Sequence, residues 1–204
     1  MKMQRALLML FVIVMAMPLF GCGKGLGKVD QGRVIEFDRE KRTVTFIRDV
    51  TAGPGNPRYT HLPPVTYELP KEPNETGEEP KAGYRMQLDV RKNRIIIFDP
   101  VAMDFKTIEY ELVYRKERVK KDDPLVFDRD ANKLRKFPLI DRAKKTITVY
   151  SAGQKMLTTF TVPDRYFALP EKTWDAGDEV RVYYKEEGKA LRFMNVSRTD
   201  IFKK

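Results

Sequence analysis

Two nine-residue stretches of the chain, DREKRTVTF at 38–46 and DRAKKTITV at 141–149, have nearly the same chemistry. Each follows an apolar segment, VIEF or FPLI, and each ends in alternating apolar and hydroxyl-bearing residues. An Asp at such a position can accept backbone N–H groups and close a hairpin. We therefore interpret both stretches as β-hairpin turns and not as a binding site used twice. A looser third copy, FDRDANKLRKF at 127–137, supports the same interpretation.

Apolar and polar residues alternate with a period of two along most of the chain, which is typical of β-strands. In TIEYELVY (107–114) one face carries Ile108, Tyr110, Leu112 and Tyr114. In DEVRVYY (178–184) Val180, Val182 and Tyr184 lie opposite Arg181. Further strands are predicted at 33–37, 42–47, 65–69, 84–90, 94–98, 145–150, 156–162 and 191–196. No window of a dozen residues shows the apolar stripe of a helix, so the predicted fold is all-β.

The similarity between the two turns extends downstream, which indicates an internal repeat. YELP at 67–70, Ala82-Gly83 and RIIIF at 94–98 follow the first turn; FALP at 167–170, Ala176-Gly177 and ALRFM at 190–194 follow the second. We predict two tandem duplicated β modules, 29–106 and 133–204, joined by a connecting strand and basic segment at 107–132. The spacing of the strands in each module resembles an OB-like or meander barrel.

The N-terminus reads as an export signal. MKMQR is followed by an uncharged apolar run at 6–20, which suits a signal peptide and is shorter than the ~20 residues that span a bilayer. The run ends in Leu19, Phe20, Gly21 and Cys22, which resembles the lipobox of bacterial lipoproteins. The resemblance implies that 1–21 are removed and that Cys22 carries acyl chains such as palmitate. Two alternatives are a free cysteine behind an ordinary secretory peptide and a retained membrane anchor.

The same resemblance implies a cellular location. The chain would be lipid-anchored in the cell envelope and face the periplasm, with 22–28 as a glycine-rich tether. Gly23, in place of an Asp after the lipidated cysteine, favours the outer membrane over the inner one. The overall pattern also resembles uncharacterised lipoprotein families of deltaproteobacteria, and this likeness implies no mechanism.

The sequence predicts no catalytic residue, metal or cofactor. One His and one Cys are too few for a zinc site built from these residues, and a Ser or Cys nucleophile would have to use His61, which we place in a Pro- and Gly-rich loop. DRDAN at 128–132 imitates the start of a calcium loop, but Lys133 and Leu139 stand where Gly and Glu are needed. There is no glycine-rich phosphate loop. A catalytic pair of carboxylates is left as an alternative, because 29 acidic residues bring some Asp and Glu side chains close together by chance.

Two classes of function remain. The first is a non-enzymatic envelope lipoprotein, an adaptor or structural accessory that contacts another envelope protein or polymer. The second is a periplasmic ligand-binding or enzymatic domain that uses the cleft between the modules, where the loops 50–64 and 151–155 would converge. Nucleic acid, the usual partner of a basic OB-like domain, is disfavoured by this cellular location.

The positive charge is concentrated in one part of the chain. The whole chain has a formal net charge of +10, and the chain from Cys22 onward has 37 basic and 29 acidic residues. Residues 106–145 hold 13 basic and 8 acidic residues. One interpretation is a solvated face that keeps the protein soluble. The other is a surface for an anionic membrane or an acidic partner, for which the candidate contacts are Lys116, Arg118, Lys120 and Lys121.

Overall fold

The computed structural model describes residues 26–51 and 57–199. The predicted signal peptide, Cys22 and the first part of the tether lie outside these residues. The described chain is built of strands, with one four-residue helix, α1 (Asp164–Phe167), and two short 3-10 helices, Pro73–Glu75 and Glu171–Trp174. The all-β prediction is therefore confirmed.

Five strands close into a barrel: β1 (Lys28–Asp38), β2 (Thr43–Asp49), β3 (Tyr59–Glu68), β13 (Glu179–Glu186) and β14 (Lys189–Asn195). Their order around the barrel is β1–β2–β3–β14–β13 and back to β1. β3 and β14 are parallel, and every other neighbouring pair is antiparallel. A closed five-stranded barrel fits the OB-like architecture expected for one module.

Alternation along these strands fills the barrel with apolar side chains. Phe46 and Tyr67 stack with their ring centroids 5.7 Å apart, and Val34, Val180 and Val182 are fully buried beside them. The prediction for 178–184 is confirmed: Val180, Val182 and Tyr184 are buried and Arg181 is exposed.

The strands between β3 and β13 form two sheets and a small hairpin, which we call the second half of the protein. One sheet has the order β4 (Gln87–Asp89), β5 (Arg94–Asp99), β6 (Asp104–Glu109). The other has the order β10 (Leu139–Asp141), β11 (Thr146–Ser151), β12 (Met156–Thr161), β7 (Glu111–Lys116). β8 (Phe127–Asp128) and β9 (Lys133–Leu134) form the hairpin. A shared core lies between the two sheets and includes Ile95, Ile108, Ile147, Phe160 and Trp174.

One continuous stretch passes from β6 to β7 and so joins the two sheets. Its bend is at Tyr110, whose N–H donates to the carbonyl of Asn93 at 3.0 Å. The predicted single face of TIEYELVY is therefore wrong beyond this point: Ile108 and Tyr110 are buried, but Leu112 and Tyr114 are 43% and 46% exposed. The chain changes sheets at Tyr110. Alternate residues before and after Tyr110 therefore do not all face the same core.

The strands of the two predicted modules are intermixed. The barrel takes β1–β3 from the first predicted module and β13–β14 from the second. The other half takes β10–β12 from the second module and β4–β5 from the first. The tandem duplication is therefore not confirmed, and 29–106 and 133–204 are not separate packing units, because the barrel core contains residues of both. The predicted connecting segment 107–132 contributes the strand β7 to the second half.

The segments that connect the barrel to the second half cross at Gly83 and Gly177. Gly83 donates its N–H to the carbonyl of Val34 at 3.0 Å, and Val34 donates its own N–H to the carbonyl of Asp178 at 3.0 Å. A Cβ at Gly83 would lie 2.5 Å from the carbonyl oxygen of Asp175, and one at Gly177 would lie 2.2 Å from that of Val34. Gly177 also has a φ of +75°. Both positions therefore require glycine for close backbone approach.

The nonapeptides at 38–46 and 141–149 form hairpin turns, as predicted, and the same turn occurs six times in the described residues. In each, an Asp or Ser oxygen accepts the N–H three residues later, the fourth residue after it has positive φ, and the fifth pairs with it across the hairpin. The six turns begin at Asp38, Asp89, Asp99, Asp128, Asp141 and Ser151. The N–H of Lys41 holds the pKa of Asp38 below its usual value.

The left-handed position of these turns gives a test of stability. Asn93 and Asn132 occupy it in two turns, and Met103 occupies it in the β5–β6 turn with a φ of +53°. Asn tolerates this conformation better than Met, so Met103→Asn should raise the free energy of unfolding by roughly 0.5–1 kcal/mol. Thermal melts should show a rise of about 1–4 °C. Val101→Asn, at a 93% exposed position of the same turn without positive φ, is the control and should have little effect. An unchanged or lower melting temperature for Met103→Asn would contradict the strain argument.

Candidate functional site

A groove runs along the junction between the barrel and the second half. It consists of two adjoining cavities of about 300 and 330 Å³ that share Met86, Gln87 and Ala176. We call the first cavity the arginine end; its other lining residues are Arg33, Pro57, Arg58, Tyr59, Thr60 and Arg85. We call the second the hairpin end; its other lining residues are Leu88, Val149, Tyr150, Ser151, Gly153, Gln154, Met156 and Thr158. Parts of the loops 50–64 and 151–155 thus line the two ends of one junction groove.

Arg85 is the unusual residue of the arginine end. It lies two residues after the crossing glycine Gly83, has a φ of +51°, and is only 8% exposed. Its guanidinium lies over the ring of Phe105 at 5.0 Å, and no carboxylate of the described residues is within ion-pair distance of it. Burial, and then the positive charge of Arg33, lower the pKa of Arg85 below the usual value of a guanidinium. The fold therefore holds a buried cation beside a second cation.

Arg33 is fixed in position by three contacts. It donates to the carbonyl of Gly177 at 3.0 Å, pairs with Glu179 at 3.3 Å, and lies over the ring of Tyr59 at 5.1 Å. Burial raises the pKa of Tyr59 to about 12, so this phenol keeps its proton at neutral pH.

The charge at the arginine end is positive. Arg33, Arg58 and Arg85 line it, and none of the described lining residues is acidic. Glu179, the ion-pair partner of Arg33, also accepts a hydrogen bond from Gln31 at 2.6 Å. Guanidinium groups bind carboxylate and phosphate oxygens through two parallel N–H donors. The arrangement can therefore bind an anion.

The hairpin end has a different chemistry. Its described lining residues are uncharged, and Met86, Leu88 and Met156 provide apolar surface. Thr158 is 1% exposed, and its Oγ1 has no hydrogen-bond partner among the described residues. A buried hydroxyl of this kind usually has a partner. The junction groove thus joins a cationic end to an uncharged end of mixed apolar and polar lining.

The basic residues predicted as contacts lie at the end of β7 (Lys116) and in the loop that follows it, and none of them lines the junction groove. Lys116 pairs with Asp123 at 3.0 Å, while Arg118, Lys120 and Lys121 are exposed and have no ion-pair partner within the described ranges. Val119 anchors the loop: it is fully buried, and its N–H donates to the carbonyl of Lys155 at 2.7 Å.

The structure also places His61 and the calcium-like stretch at 128–132. His61 lies in β3, opposite Arg48 and exposed, and not in the predicted loop, because β3 begins at Tyr59. The calcium-like stretch at 128–132 is a hairpin turn in which Asp128 accepts the N–H of Ala131 at 3.1 Å. Among the described residues there is no group of three or more His, Cys, Asp or Glu side chains that could hold a metal ion.

Sequence reasoning missed Arg33 and Arg85. Both lie in stretches that read as ordinary strands, RVIEF and YRMQLDV, in a chain with 39 Lys and Arg residues. What distinguishes Arg85 is its burial and left-handed backbone, and both result from the crossing at Gly83. No local pattern reports that crossing.

In the part of the chain that the structure describes, no helix has the length and apolar character needed to span a bilayer. No curated protein and no solved structure matches the sequence. The family described as a domain of unknown function (DUF4881) matches residues 25–204, and the chain therefore belongs to the DUF4881 family.

Proposed function

We propose that the protein is a lipid-anchored, non-enzymatic component of the bacterial envelope that binds an anionic ligand in the junction groove. The observation that carries this proposal is Arg85, a buried guanidinium beside Arg33 without a carboxylate partner in the described chain. A buried charge is costly unless it is paired. A partner that is not part of the protein would supply the missing negative charge.

Binding fits the residues of the junction groove better than catalysis does. Among the described residues that line it, none is Asp, Glu, His or Cys, so the hydroxyl of Ser151 has no side-chain base beside it in the lining. Tyr59 is held neutral by burial, and arginine does not lose its proton in proteins. These groups can position and neutralise an anion, and they offer no proton acceptor for a reaction.

The N-terminus supports a membrane anchor. Leu19, Phe20, Gly21 and Cys22 resemble a lipobox, and β1 begins at Lys28. The six residues at 22–27 that precede β1 span at most about 20 Å, so acylated Cys22 would keep the barrel close to the bilayer. With Gly23 after the cysteine we place the protein on the outer membrane, facing the periplasm.

Acylation of Cys22 is directly testable. Cells that express the full chain and are fed an alkyne-tagged palmitate should incorporate label into the protein, because a lipobox cysteine is the acceptor of the acyl chains. Cys22→Ser should remove the label, and since the sequence has one cysteine, no other thiol can take it. Labelling of Cys22→Ser at the parent level would exclude this anchor.

The role of Arg85 is tested by Arg85→Met in the lipid-free chain 23–204. Citrate should raise the melting temperature of the parent in a saturable way, since a ligand that binds only the folded state stabilises it. Arg85→Met should lose this response. Its own free energy of unfolding should stay level or rise, by up to about 1–4 kcal/mol, because an apolar side chain replaces an unpaired buried charge.

Arg129→Met, an exposed change in the β8–β9 turn, is the matched control and should keep the citrate response. A merely structural Arg85 would give the opposite pattern. In that case Arg85→Met would be strongly destabilised, and the citrate response per molecule of folded protein would persist.

A second candidate function is contact with an anionic membrane surface. It is favoured by Arg118, Lys120 and Lys121, which are exposed in one loop and have no ion-pair partner within the described ranges. Val119 holds this loop against the 151–155 turn, so the three cations have a fixed common location. Each cation near an anionic leaflet contributes about 1 kcal/mol.

For this surface, the lipid-free chain 23–204 should bind anionic vesicles at low salt and dissociate by roughly 0.3 M salt, where the Debye length is well under 10 Å. Changing Arg118, Lys120 and Lys121 to Glu should abolish binding in a vesicle sedimentation assay. Lys116 is left unchanged because its pair with Asp123 stabilises the loop. Equal binding by the triple variant would show that the loop is only a solvated face.

A further inference from the structure

Among the described residues, the second half has no paired counterpart of the first part of β1. In the barrel, the first part of β1 pairs with β13 from Lys28↔Tyr184 to Arg33↔Glu179. Asp38 and Asp141 begin equivalent turns 103 positions apart, so the counterpart of 28–33 is 131–136. That stretch includes β9, which pairs with β8 in a hairpin. β4, the counterpart of β13, therefore has a strand partner on only one side, β5, among the described residues.

The edge of β11 is open at the same place. β10 pairs with Thr146, Ile147 and Thr148 only, whereas β12 pairs with β11 as far as Ser151. The stretch 149–151 therefore has no described strand on its second side. Both open edges, Gln87–Leu88 of β4 and 149–151 of β11, line the hairpin end of the junction groove, a cavity of about 330 Å³. Open strand edges present unpaired N–H and C=O groups that an extended chain can bind.

The direction of an added strand follows from the repeat. β1 is antiparallel to β13, so a strand in the equivalent position would be antiparallel to β4. Its C-terminal end would then lie at the start of β4, where Met86 and Arg85 precede Gln87. The arginine end is therefore placed to receive negative charge at the C-terminal end of the added strand.

We infer that the ligand of the junction groove is an extended polypeptide segment with carboxylates at its C-terminal end. It pairs with the open edge of β4 in the place that the first part of β1 occupies in the barrel. Its carboxylates meet Arg85, Arg33 and Arg58. This inference rests on the proposed function, since it names the class of anion that the arginine end binds.

The test uses the full chain in detergent micelles and fluorescein-labelled hexapeptides. The probe is Thr-Val-Thr-Val-Thr-Asp with a free C-terminal carboxylate. One control replaces Asp by Asn and amidates the C-terminus; the other is Asp-Thr-Val-Thr-Val-Thr-amide, with the acid at the opposite end. Fluorescence anisotropy should show that the probe binds at least roughly tenfold tighter than either control. N-methylation of alternate amides should weaken the probe more in the register whose N–H groups face β4, since a strand edge pairs with every second residue.

Several results would overturn the inference. They are equal binding of the probe and the reversed control, insensitivity to N-methylation in both registers, or no binding of the probe at about 1 mM. Binding of an acidic oligosaccharide with none by the probe would also overturn it and identify a different class of ligand.

The proposed function is judged separately by citrate. Citrate could stabilise the parent but not Arg85→Met while the probe and the control peptides bind equally. That result would support the anion site and contradict strand addition. If the probe binds with the predicted polarity and Arg85→Met leaves its affinity unchanged, strand addition stands without the arginine site, and the proposed function falls.

Discussion

The contact between the backbones at Val34, Gly83 and Gly177 is the constraint on which the rest of the structure depends. Gly83 donates to the carbonyl of Val34, and a Cβ at Gly177 would lie 2.2 Å from that same oxygen. Because neither glycine has a side chain, the two connecting segments can pass between the barrel and the second half and deliver their hairpins to opposite sides. Arg85 follows Gly83 by two residues, so the same crossing places its guanidinium at the junction.

The sequence contained much of the local structure and little of the assembly. The turn beginning at Asp38 and its equivalents are short-range devices, in which an acceptor, a nearby N–H and a left-handed residue lie within five positions. Patterns of this length can be read directly. The choice of β13 as the partner of β1 depends on contacts between residues about 150 positions apart, such as Gln31 and Arg181. Two repeats with the same alternation fit either arrangement, and so the sequence suggested tandem modules.

The same limit explains what was missed at the candidate site. Lys116, Arg118, Lys120 and Lys121 were predicted as contacts because they are clustered in the sequence. In the structure Lys116 ends β7 and pairs with Asp123, and the other three are exposed in the loop that follows. Arg85 has no such local signal. It becomes distinctive only when three elements meet around it: the crossing at Gly83, the ring of Phe105 below its guanidinium, and the second cation Arg33. Burial of a charge is a property of the assembled fold and not of a sequence window.

The anion site is tested most directly on the guanidinium of Arg85 itself. In full chain labelled with ¹⁵N-arginine, the Nε–Hε signal of Arg85 can be assigned by its loss in Arg85→Met and then followed during a citrate titration. If the arginine end binds an anion, this signal and that of Arg33 should shift together and saturate, because both groups lie at the arginine end. A signal that stays fixed while exposed arginines such as Arg129 shift in proportion to the citrate concentration would show only nonspecific ion binding and would contradict the account.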